Sequence, residues 1–153
     1  MKLCIVRHGE AGFTAPDSER ELTATGKQQA KIAGQWLLAQ FPKKPRLIAS
    51  PYIRAQQTAS IIAQECGLQV ETWKSLTPEA SVNALVDQLG DITEDVILVS
   101  HLPLVAYLAA LLVDGSSYNQ PWSVAECWLL EGKLAAAGCM STTKVWYPVL
   151  AKM

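Results

Sequence analysis

An apolar run near the N-terminus ends abruptly in charged and polar residues, and this change constrains the fold more than any other feature. Residues 3–6 read Leu-Cys-Ile-Val and are followed directly by Arg7, His8 and Gly9. A short, continuous apolar run is typical of a strand that is buried on both faces. Ligands of open α/β sheets collect at the carboxyl ends of the strands. The sequence therefore predicts a buried strand that carries Arg7 and His8 to a functional edge.

The second histidine of the chain, His101, follows a similar apolar run. Residues 96–99 read Val-Ile-Leu-Val and lead into Ser100 and His101. One histidine after a strand is more often structural than catalytic, but two in equivalent positions favour a shared site. Arg54 lies at the start of a predicted helix, where a guanidinium and free backbone N–H groups together suit an anion. We therefore expect a single anion-binding site.

The order of the predicted elements indicates the fold class. Strands alternate with helices, and the last 30 residues show the period-two pattern of an antiparallel hairpin, with its turn at Glu131 and Gly132. This order predicts an α/β fold, a three-layer αβα sandwich with a mixed, mostly parallel central sheet. We expect a threonine hydroxyl within residues 22–26, from Thr23 or Thr25, to cap the first helix and Pro51 to occupy the first position of the second. The later strands are predicted at residues 46–50, 68–73, 96–99, 124–130 and 133–147.

Length, charge and cysteine content exclude several classes of protein. The 153 residues are enough for one domain, residues 1–153, with a core of its own. Thirteen basic and 14 acidic residues, without a basic stretch, argue against a nucleic-acid partner. The scattered cysteines lack a C-x-x-C pair, so we interpret them as buried thiols in a reducing compartment. These cysteines are Cys4, Cys66, Cys127 and Cys139.

No segment of the sequence predicts membrane association. The apolar N-terminal run is too short for a signal peptide. Residues 96–113 are mostly apolar, but Ser100, His101 and Pro103 interrupt them, which favours a strand followed by a buried helix over a membrane span. We therefore expect a cytoplasmic protein.

Two histidines and two arginines at strand and helix ends suit phosphoryl transfer. Its transition state spreads negative charge over the equatorial oxygens, which the planar fork of arginine matches. A neutral histidine can attack phosphorus and form a covalent intermediate. The sequence lacks H-x-x-x-H, H-E-x-x-H, G-x-S-x-G and G-x-x-x-x-G-K-[ST] motifs, which argues against zinc hydrolysis, a serine triad and a nucleotide loop. We expect neither a metal nor a cofactor.

Four ordered blocks of residues span most of the chain. They are Arg7-His8-Gly9-Glu10, Leu22-Thr23-Ala24-Thr25-Gly26 with Gln29-Ala30, Ser50-Pro51 with Arg54-Ala55-Gln57-Thr58-Ala59, and Ser100-His101-Leu102-Pro103. These blocks resemble the histidine phosphatase superfamily of phosphoglycerate mutase-like fold. The short length and the last block resemble its SixA-type phosphohistidine phosphatases.

The resemblance implies a role for each matching residue. It makes His8 the nucleophile that becomes phosphorylated, and Arg7, Arg54 and His101 the residues that hold the phosphoryl group. Arg20, which precedes the second block, is expected to add a phosphate contact.

A general acid is the least specified of the implied roles. The family's acid usually follows the third strand, which makes Glu79 the first candidate, and Glu10 is the second. Many SixA-like proteins lack a clear acid.

The resemblance also implies a substrate class. Superfamily members that act on small molecules are generally longer and have insertions that cover the site, whereas the connections after Glu79 and His101 are short here. We expect an uncovered site that accepts a phosphohistidine side chain of another protein, such as a phosphotransfer domain of a sensor kinase, and a monomeric enzyme. Two alternatives remain open, a phosphatase of small phosphorylated metabolites and a non-catalytic module that binds phosphohistidine.

Overall fold

A six-stranded sheet forms the centre of the fold. The structure is a computed structural model that describes residues 1–150, so the last three residues of the expected domain lie outside it. The strands are β1 (Lys2–Arg7), β2 (Arg46–Ala49), β3 (Val70–Thr72), β4 (Val96–Ser100), β5 (Cys127–Gly132) and β6 (Met140–Trp146). Their order is β3-β2-β4-β1-β5-β6, and the first four are parallel to one another, whereas β5 and β6 are antiparallel to their neighbours. The predicted mixed, mostly parallel sheet is confirmed.

Four helices cover the two faces of the sheet. They are α1 (Ala24–Gln40), α2 (Ile53–Cys66), α3 (Val82–Leu89) and α4 (Leu104–Asp114). Helices α1 and α2 pack on the face that carries Cys4 and Val6, whereas α3 and α4 pack on the face that carries Leu3 and Ile5. The predicted three-layer sandwich is confirmed. None of the helices within residues 1–150 has the length and apolar character needed to cross a membrane.

The register of β1 against β4 brings the two histidine segments level. Ile5 pairs with Leu98 and Arg7 pairs with Ser100, so the residue after each strand is a histidine at the same edge of the sheet. The apolar residues of both strands are fully buried, as expected for strands with helices on both faces. The pairing of these two buried strands therefore places both imidazoles at the same level along the edge of the sheet.

The sequence predicts the start of α1 correctly but not the start of α2. Thr23 caps α1, because its hydroxyl oxygen accepts a hydrogen bond of 3.0 Å from the Gly26 amide. The prediction for Pro51 is wrong, since α2 begins at Ile53 with Tyr52 as its N-cap. Ser50 accounts for the later start, because its hydroxyl accepts the Tyr52 N–H at 3.2 Å and holds Tyr52 in an extended conformation.

The C-terminal hairpin is present, but its predicted turn is wrong. Strand β5 continues through Glu131 and Gly132, and the connection to β6 comprises residues 133–139. Both of these residues stay in the sheet because Glu131 pairs with Lys2 of β1 and the Gly132 carbonyl accepts a hydrogen bond from the terminal amine of Met1. Cys139 lies in this connection and is exposed, which corrects the prediction that all four thiols are buried.

Two glycines allow the start of α1 to pack against the end of β1. A Cβ atom on Gly26 would overlap the carbonyl oxygen of Glu10, and one on Gly9 would lie 2.6 Å from the carbonyl oxygen of Gly26. Neither position leaves room for a side chain. The neighbouring atoms belong to the backbone and cannot move away by a side-chain rotation. The contact places the first turn of α1 directly beside the segment that follows His8.

We predict that Gly26→Ala lowers the free energy of unfolding by about 1–3 kcal/mol, although alanine is normally the better residue in a helix. The added methyl group must push the helix start away from Glu10. Gly90→Ala is the matched control, because a Cβ there meets its nearest neighbour at 3.4 Å and φ is −60°. Urea unfolding of the three proteins measures the difference, and equal stabilities of both variants would contradict the prediction.

Candidate active site

Two histidines and one arginine meet at the carboxyl edge of the parallel strands. His8 follows β1, His101 follows β4, and their ring centroids lie 5.1 Å apart. Arg54 comes from the first turn of α2, and its Nε lies 3.3 Å from Nε2 of His8. Only 6%, 1% and 3% of His8, His101 and Arg54 are exposed, respectively. The structure thus brings together the residues that the sequence assigns to one site.

The hydrogen bonds of His8 define which ring nitrogen is free. Nδ1 lies 2.7 Å from the carbonyl oxygen of Gly9, which can only accept, so Nδ1 carries the proton and donates it. Nε2 therefore holds a lone pair, and it accepts a hydrogen bond from Nε of Arg54. Burial, with Arg54, Arg7 and Arg20 in support, lowers the pKa of His8 to about 4, against the opposing effect of the Gly9 bond. His8 is consequently neutral at physiological pH and has a nucleophilic Nε2.

His101 is held from one side by Ser50. Its Nε2 lies 2.8 Å from the hydroxyl oxygen of Ser50, which already accepts the Tyr52 N–H. Nε2 is the only acceptor within hydrogen-bond distance of the Ser50 hydroxyl among the described residues, so satisfying the hydroxyl proton assigns the ring proton to Nδ1. This Nδ1 is buried and has no hydrogen-bond partner among residues 1–150. Burial, followed by the nearby His8 and Arg54, lowers the pKa of His101 well below its usual value, so its Nδ1–H is a neutral donor.

Arg54 is anchored by Asp17 of the loop before α1 and by Thr58 of its own helix. Nη1 donates to the carbonyl oxygen of Asp17, and Nη2 lies 3.4 Å from the Asp17 carboxylate. Thr58, one turn later in α2, donates to the carbonyl oxygen of Arg54 at 2.8 Å and accepts the Gly9 N–H at 3.1 Å. Burial lowers the pKa of Arg54 while Asp17 raises it, and the group stays protonated. The hydroxyl of Thr58 therefore links the helix that carries Arg54 to the backbone beside His8.

Arg7 is positioned by the segment that precedes β5. Its Nη1 donates to the carbonyl oxygen of Trp122 at 2.6 Å, and its backbone N–H donates to the carbonyl oxygen of Glu126. Its Nε is buried and has no partner among the described residues. Burial lowers the pKa of Arg7, and the nearby Glu126 carboxylate opposes that shift. Nε of Arg7 thus offers an unpaired N–H inside the protein, and the charge of Arg7 acts on His8.

Arg20 lies at the rim of the site. Its Nε donates to the carbonyl oxygen of Gly12 at 2.7 Å, and its Nη1 pairs with Asp17 at 3.2 Å. The guanidinium carbon stands 4.2 Å from the centroid of the Phe13 ring, whose exposed fraction is 83%. Arg20 also contributes to the lowered pKa of His8. The positive charge of Arg20 therefore acts on the site, and its side chain is held by neighbours in its own loop.

Among the described residues, neither candidate acid makes a hydrogen bond or an ion pair with His8. Glu79 is exposed in the segment between β3 and α3 and makes no hydrogen bond or ion pair with another residue of the described chain. The carboxylate of Glu10 accepts a 3.0 Å hydrogen bond from the hydroxyl of Thr23, at the N-terminus of α1. Glu10 thus contributes to a helix cap, whereas Glu79 has no competing partner.

Two carboxylates near the site were missed by the sequence analysis. Asp17, to which the sequence analysis gives no role in the site, pairs with both Arg54 and Arg20. Glu126 lies within a predicted strand, and its side chain is buried. A signal for Glu126 exists in the sequence, because it is the sole charged residue between Asp114 and Glu131.

The arrangement suits a tetrahedral anion that reacts at its centre. Nε2 of His8 is a lone-pair donor, while Arg7, Arg54 and the Nδ1–H of His101 offer N–H groups around it. Donors held in a buried environment stabilise developing negative charge more strongly than donors in water do. Within residues 1–150, no group of three or more histidine, cysteine, aspartate and glutamate side chains could hold a metal ion.

We predict that His8 makes the stability of the protein depend on pH between about 6.5 and 4. An unfolded histidine binds a proton near pH 6.5, whereas folded His8 does so only near 4. Stability from this group is therefore complete above pH 6.5 and is lost as the pH falls through 4, and the total is on the order of 3 kcal/mol.

The measurement is urea unfolding at several pH values of the wild type and of His8→Asn. Asparagine offers an N–H to the Gly9 carbonyl but does not titrate. The wild type should lose more stability than the variant between pH 7 and 4, and parallel curves would contradict the lowered pKa.

Comparison with known proteins agrees with this geometry. Residues 3–85 match the family model of the histidine phosphatase superfamily, branch 1. The phosphohistidine phosphatase SixA homolog of Haemophilus influenzae is 36% identical over 73% of this chain and 77% of its own. Phosphohistidine phosphatase SixA of Escherichia coli K12 is 35% identical over 76% and 77%.

A solved structure extends the match to the whole fold. The protein histidine phosphatase SixA complexed with tungstate has a TM-score of 0.87 at 28% identity, covering 96% of this chain and 97% of that one. The sequence and fold together show that the chain belongs to the histidine phosphatase superfamily and, within it, to the SixA-type proteins.

Proposed function

We propose that this chain is a phosphohistidine phosphatase that removes the phosphoryl group from a histidine side chain of another protein. The observation that carries the proposal is the neutral His8, whose Nε2 lone pair lies beside the guanidinium of Arg54 and the ring of His101. The relatives at 35% and 36% identity that are named phosphohistidine phosphatase SixA support this substrate class. Phospho-His8 is the covalent intermediate.

The first step transfers the phosphoryl group to His8. Nε2 attacks phosphorus, and the bond between phosphorus and the substrate imidazole breaks on the opposite side. Arg7, Arg54 and the Nδ1–H of His101 donate to the equatorial oxygens, and Arg20 contributes positive charge from the rim. The hydrogen bond to the Gly9 carbonyl stabilises the His8 ring when phosphorylation makes it cationic.

The second step returns His8 to its starting state. Water attacks phosphorus, the bond from phosphorus to Nε2 breaks, and both protons of the water leave with the phosphate. His8 keeps its proton on Nδ1 and regains the lone pair on Nε2. The cycle therefore needs no metal, because arginine and histidine N–H groups meet the charge of the phosphoryl group.

The leaving group determines how much a general acid contributes. A phosphoimidazole that is protonated on its other nitrogen releases neutral imidazole, whose conjugate acid has a pKa of about 6.5. Phosphoryl transfer from such a group to His8 consequently needs no added proton. An alcohol ester must instead expel an alkoxide unless an acid protonates it. Glu79 is exposed and unpaired within residues 1–150, and we assign it the role of acid for esters only.

The short connections around the site support a protein substrate. Three residues separate β4 from α4, so this connection does not cover the edge where His8 and His101 lie. Phe13 stands at the rim with most of its ring in solvent. A histidine on the surface of a phosphotransfer domain or similar carrier protein can approach such a site. We further propose that the enzyme works as a monomer in the cytoplasm.

The test compares the wild type and His8→Ala on a phosphohistidine protein and on a panel of small phosphoesters, without added metal. We expect the wild type to release phosphate preferentially from the protein, and the variant to lose about 1,000-fold or more of this activity. Lys133→Ala, a change far from the site in the connection between β5 and β6, is the control. Release chiefly from small esters would favour a metabolite phosphatase, and binding without release by the wild type would favour a phosphohistidine-binding module.

We predict that Glu79→Gln lowers turnover of phosphoesters more than turnover of phosphohistidine. The reason is the leaving group, because only the alkoxide needs the proton that Glu79 supplies, and general acids contribute about 100-fold or more. Glu94→Gln is the matched control, since Glu94 is also exposed but precedes β4 at the opposite edge of the sheet. Equal losses on both substrates would contradict this role.

A further inference from the structure

The chain segment just before β5 lies directly against Arg7 and His8. The Ala125 N–H donates to the carbonyl oxygen of His8 at 3.0 Å, and the Arg7 N–H donates to the carbonyl oxygen of Glu126 at 3.0 Å. The carbonyl oxygen of Trp122 accepts the Arg7 Nη1 group at 2.6 Å. Residues 122–126 therefore contact both the backbone and the guanidinium of the strand end that carries the nucleophile.

Residues 122–126 form a strained turn, which is stabilised by hydrogen bonds between its own residues. Ala125 has a φ of 57° and is fully buried, and a non-glycine residue in this left-handed region costs about 1–2 kcal/mol. The Glu126 N–H donates to the Ser123 carbonyl at 3.1 Å, and the Glu126 carboxylate accepts the Ser123 N–H at 2.9 Å. A strained conformation persists only when its surroundings hold it. The side chain of Glu126 is one of the groups that hold this turn.

The second carboxylate oxygen of Glu126 connects the turn to a pair of indole rings. Oε2 accepts a 2.7 Å hydrogen bond from Nε1 of Trp128. The Trp128 ring is stacked on the Trp122 ring, with centroids 4.8 Å apart and planes 11° from parallel. Trp122 is the residue whose carbonyl oxygen receives Arg7. Glu126 thus restrains the Trp122 carbonyl through Ser123 on one side and through the stacked indoles on the other.

The charge of Glu126 acts on Arg7 as well. Glu126 is 8% exposed and is the carboxylate that attracts the Arg7 guanidinium. A buried carboxylate is tolerated when N–H donors and an opposite charge satisfy it, and Glu126 has both. One N–H group donates to each of its two oxygens, so both oxygens act as hydrogen-bond acceptors.

We propose that Glu126 is a positioning residue, which holds the Arg7 guanidinium at the phosphoryl site by means of the Trp122 carbonyl and the Trp128 indole. The proposal rests on the proposed function only in that Arg7 contacts the phosphoryl group. It assigns to the C-terminal part of the chain a role in the site that none of the four sequence blocks contains.

The test measures binding of tungstate, an oxyanion of the size of phosphate, by calorimetry to Glu126→Gln and Trp128→Phe. Glutamine replaces one of the two accepting oxygens with an NH2 group, which can only donate, so one of the two N–H groups loses its acceptor. Phenylalanine keeps the stacked ring without the N–H. We expect each variant to bind tungstate about 10-fold more weakly, as for loss of one well-placed charged hydrogen bond. The double variant should also bind tungstate about 10-fold more weakly than the wild type, because both changes break the same connection.

Matched controls separate positioning from a general loss of stability. Trp146→Phe alters the other stacked tryptophan pair, 4.9 Å from Trp36, and Glu131→Gln alters the far end of the same strand. Both should leave tungstate affinity unchanged. Unfolding curves show that each variant is folded where binding is measured. Should Glu126→Gln fail to fold, Trp128→Phe alone decides the outcome.

Two results would overturn the proposal. One is unchanged tungstate affinity in folded Trp128→Phe or Glu126→Gln, which would make the cluster structural only. The other is a 100-fold loss in the double variant, which would show two independent effects. The assay needs no turnover, so failure of the phosphohistidine assay with normal tungstate binding would refute the proposed function and leave this proposal standing.

Discussion

The hydrogen bond from Nδ1 of His8 to the Gly9 carbonyl is the interaction on which the chemistry of the site depends. This hydrogen bond places the ring proton on Nδ1 and leaves the lone pair on Nε2. Its geometry depends in turn on the backbone of Gly9, whose N–H binds Thr58 and which packs against Gly26. The first strand and the first two helices therefore meet at one peptide. The contact between Gly9 and Gly26 thus supports the backbone geometry that leaves Nε2 of His8 unprotonated.

A second constraint is the concentration of positive charge around that nitrogen. Arg7, Arg20 and Arg54 all act on His8, and burial strengthens their effect. Without compensation such a cluster would destabilise the fold. Two carboxylates offset it, Asp17 on the loop side and Glu126 on the C-terminal side. They differ in exposure, since the Asp17 side chain is 61% exposed, whereas Glu126 is buried. An incoming phosphoryl group can compete with Asp17 for Arg54, while Glu126 stays in place.

The fold and the centre of the site could be predicted from the sequence because their signals are side chains in a regular pattern. Apolar runs ending at His8 and His101 specified two parallel strands, and the register of those strands brought the rings together. The parts that were missed depend on other information. The carbonyl oxygens of Gly9, Asp17 and Trp122 are positioned by tertiary structure, and a backbone carbonyl has no signature in a sequence.

The errors at Pro51 and at the hairpin turn have the same origin. In each case a long-range or side-chain contact overrode the local preference of the residues. Ser50 captures the Tyr52 N–H and delays the helix, and Lys2 of the first strand keeps Glu131 in the sheet. Local turn signals describe what a segment prefers alone, whereas these residues follow their partners in the folded chain.

In the proposed mechanism the nucleophile and the leaving group are both imidazoles. This explains why the site can function without a well-defined general acid. Transfer between two imidazoles exchanges one phosphorus–nitrogen bond for another of nearly equal energy, so neither direction needs a strong proton donor. In the proposed mechanism, electrostatic stabilisation by Arg7 and Arg54 then supplies most of the catalysis. An ester lacks this symmetry, since its oxygen leaves as a much stronger base. Under the proposed mechanism, the neutral His8 and the exposed Glu79, which has no partner within residues 1–150, are both consistent with nitrogen-bound phosphate as the substrate.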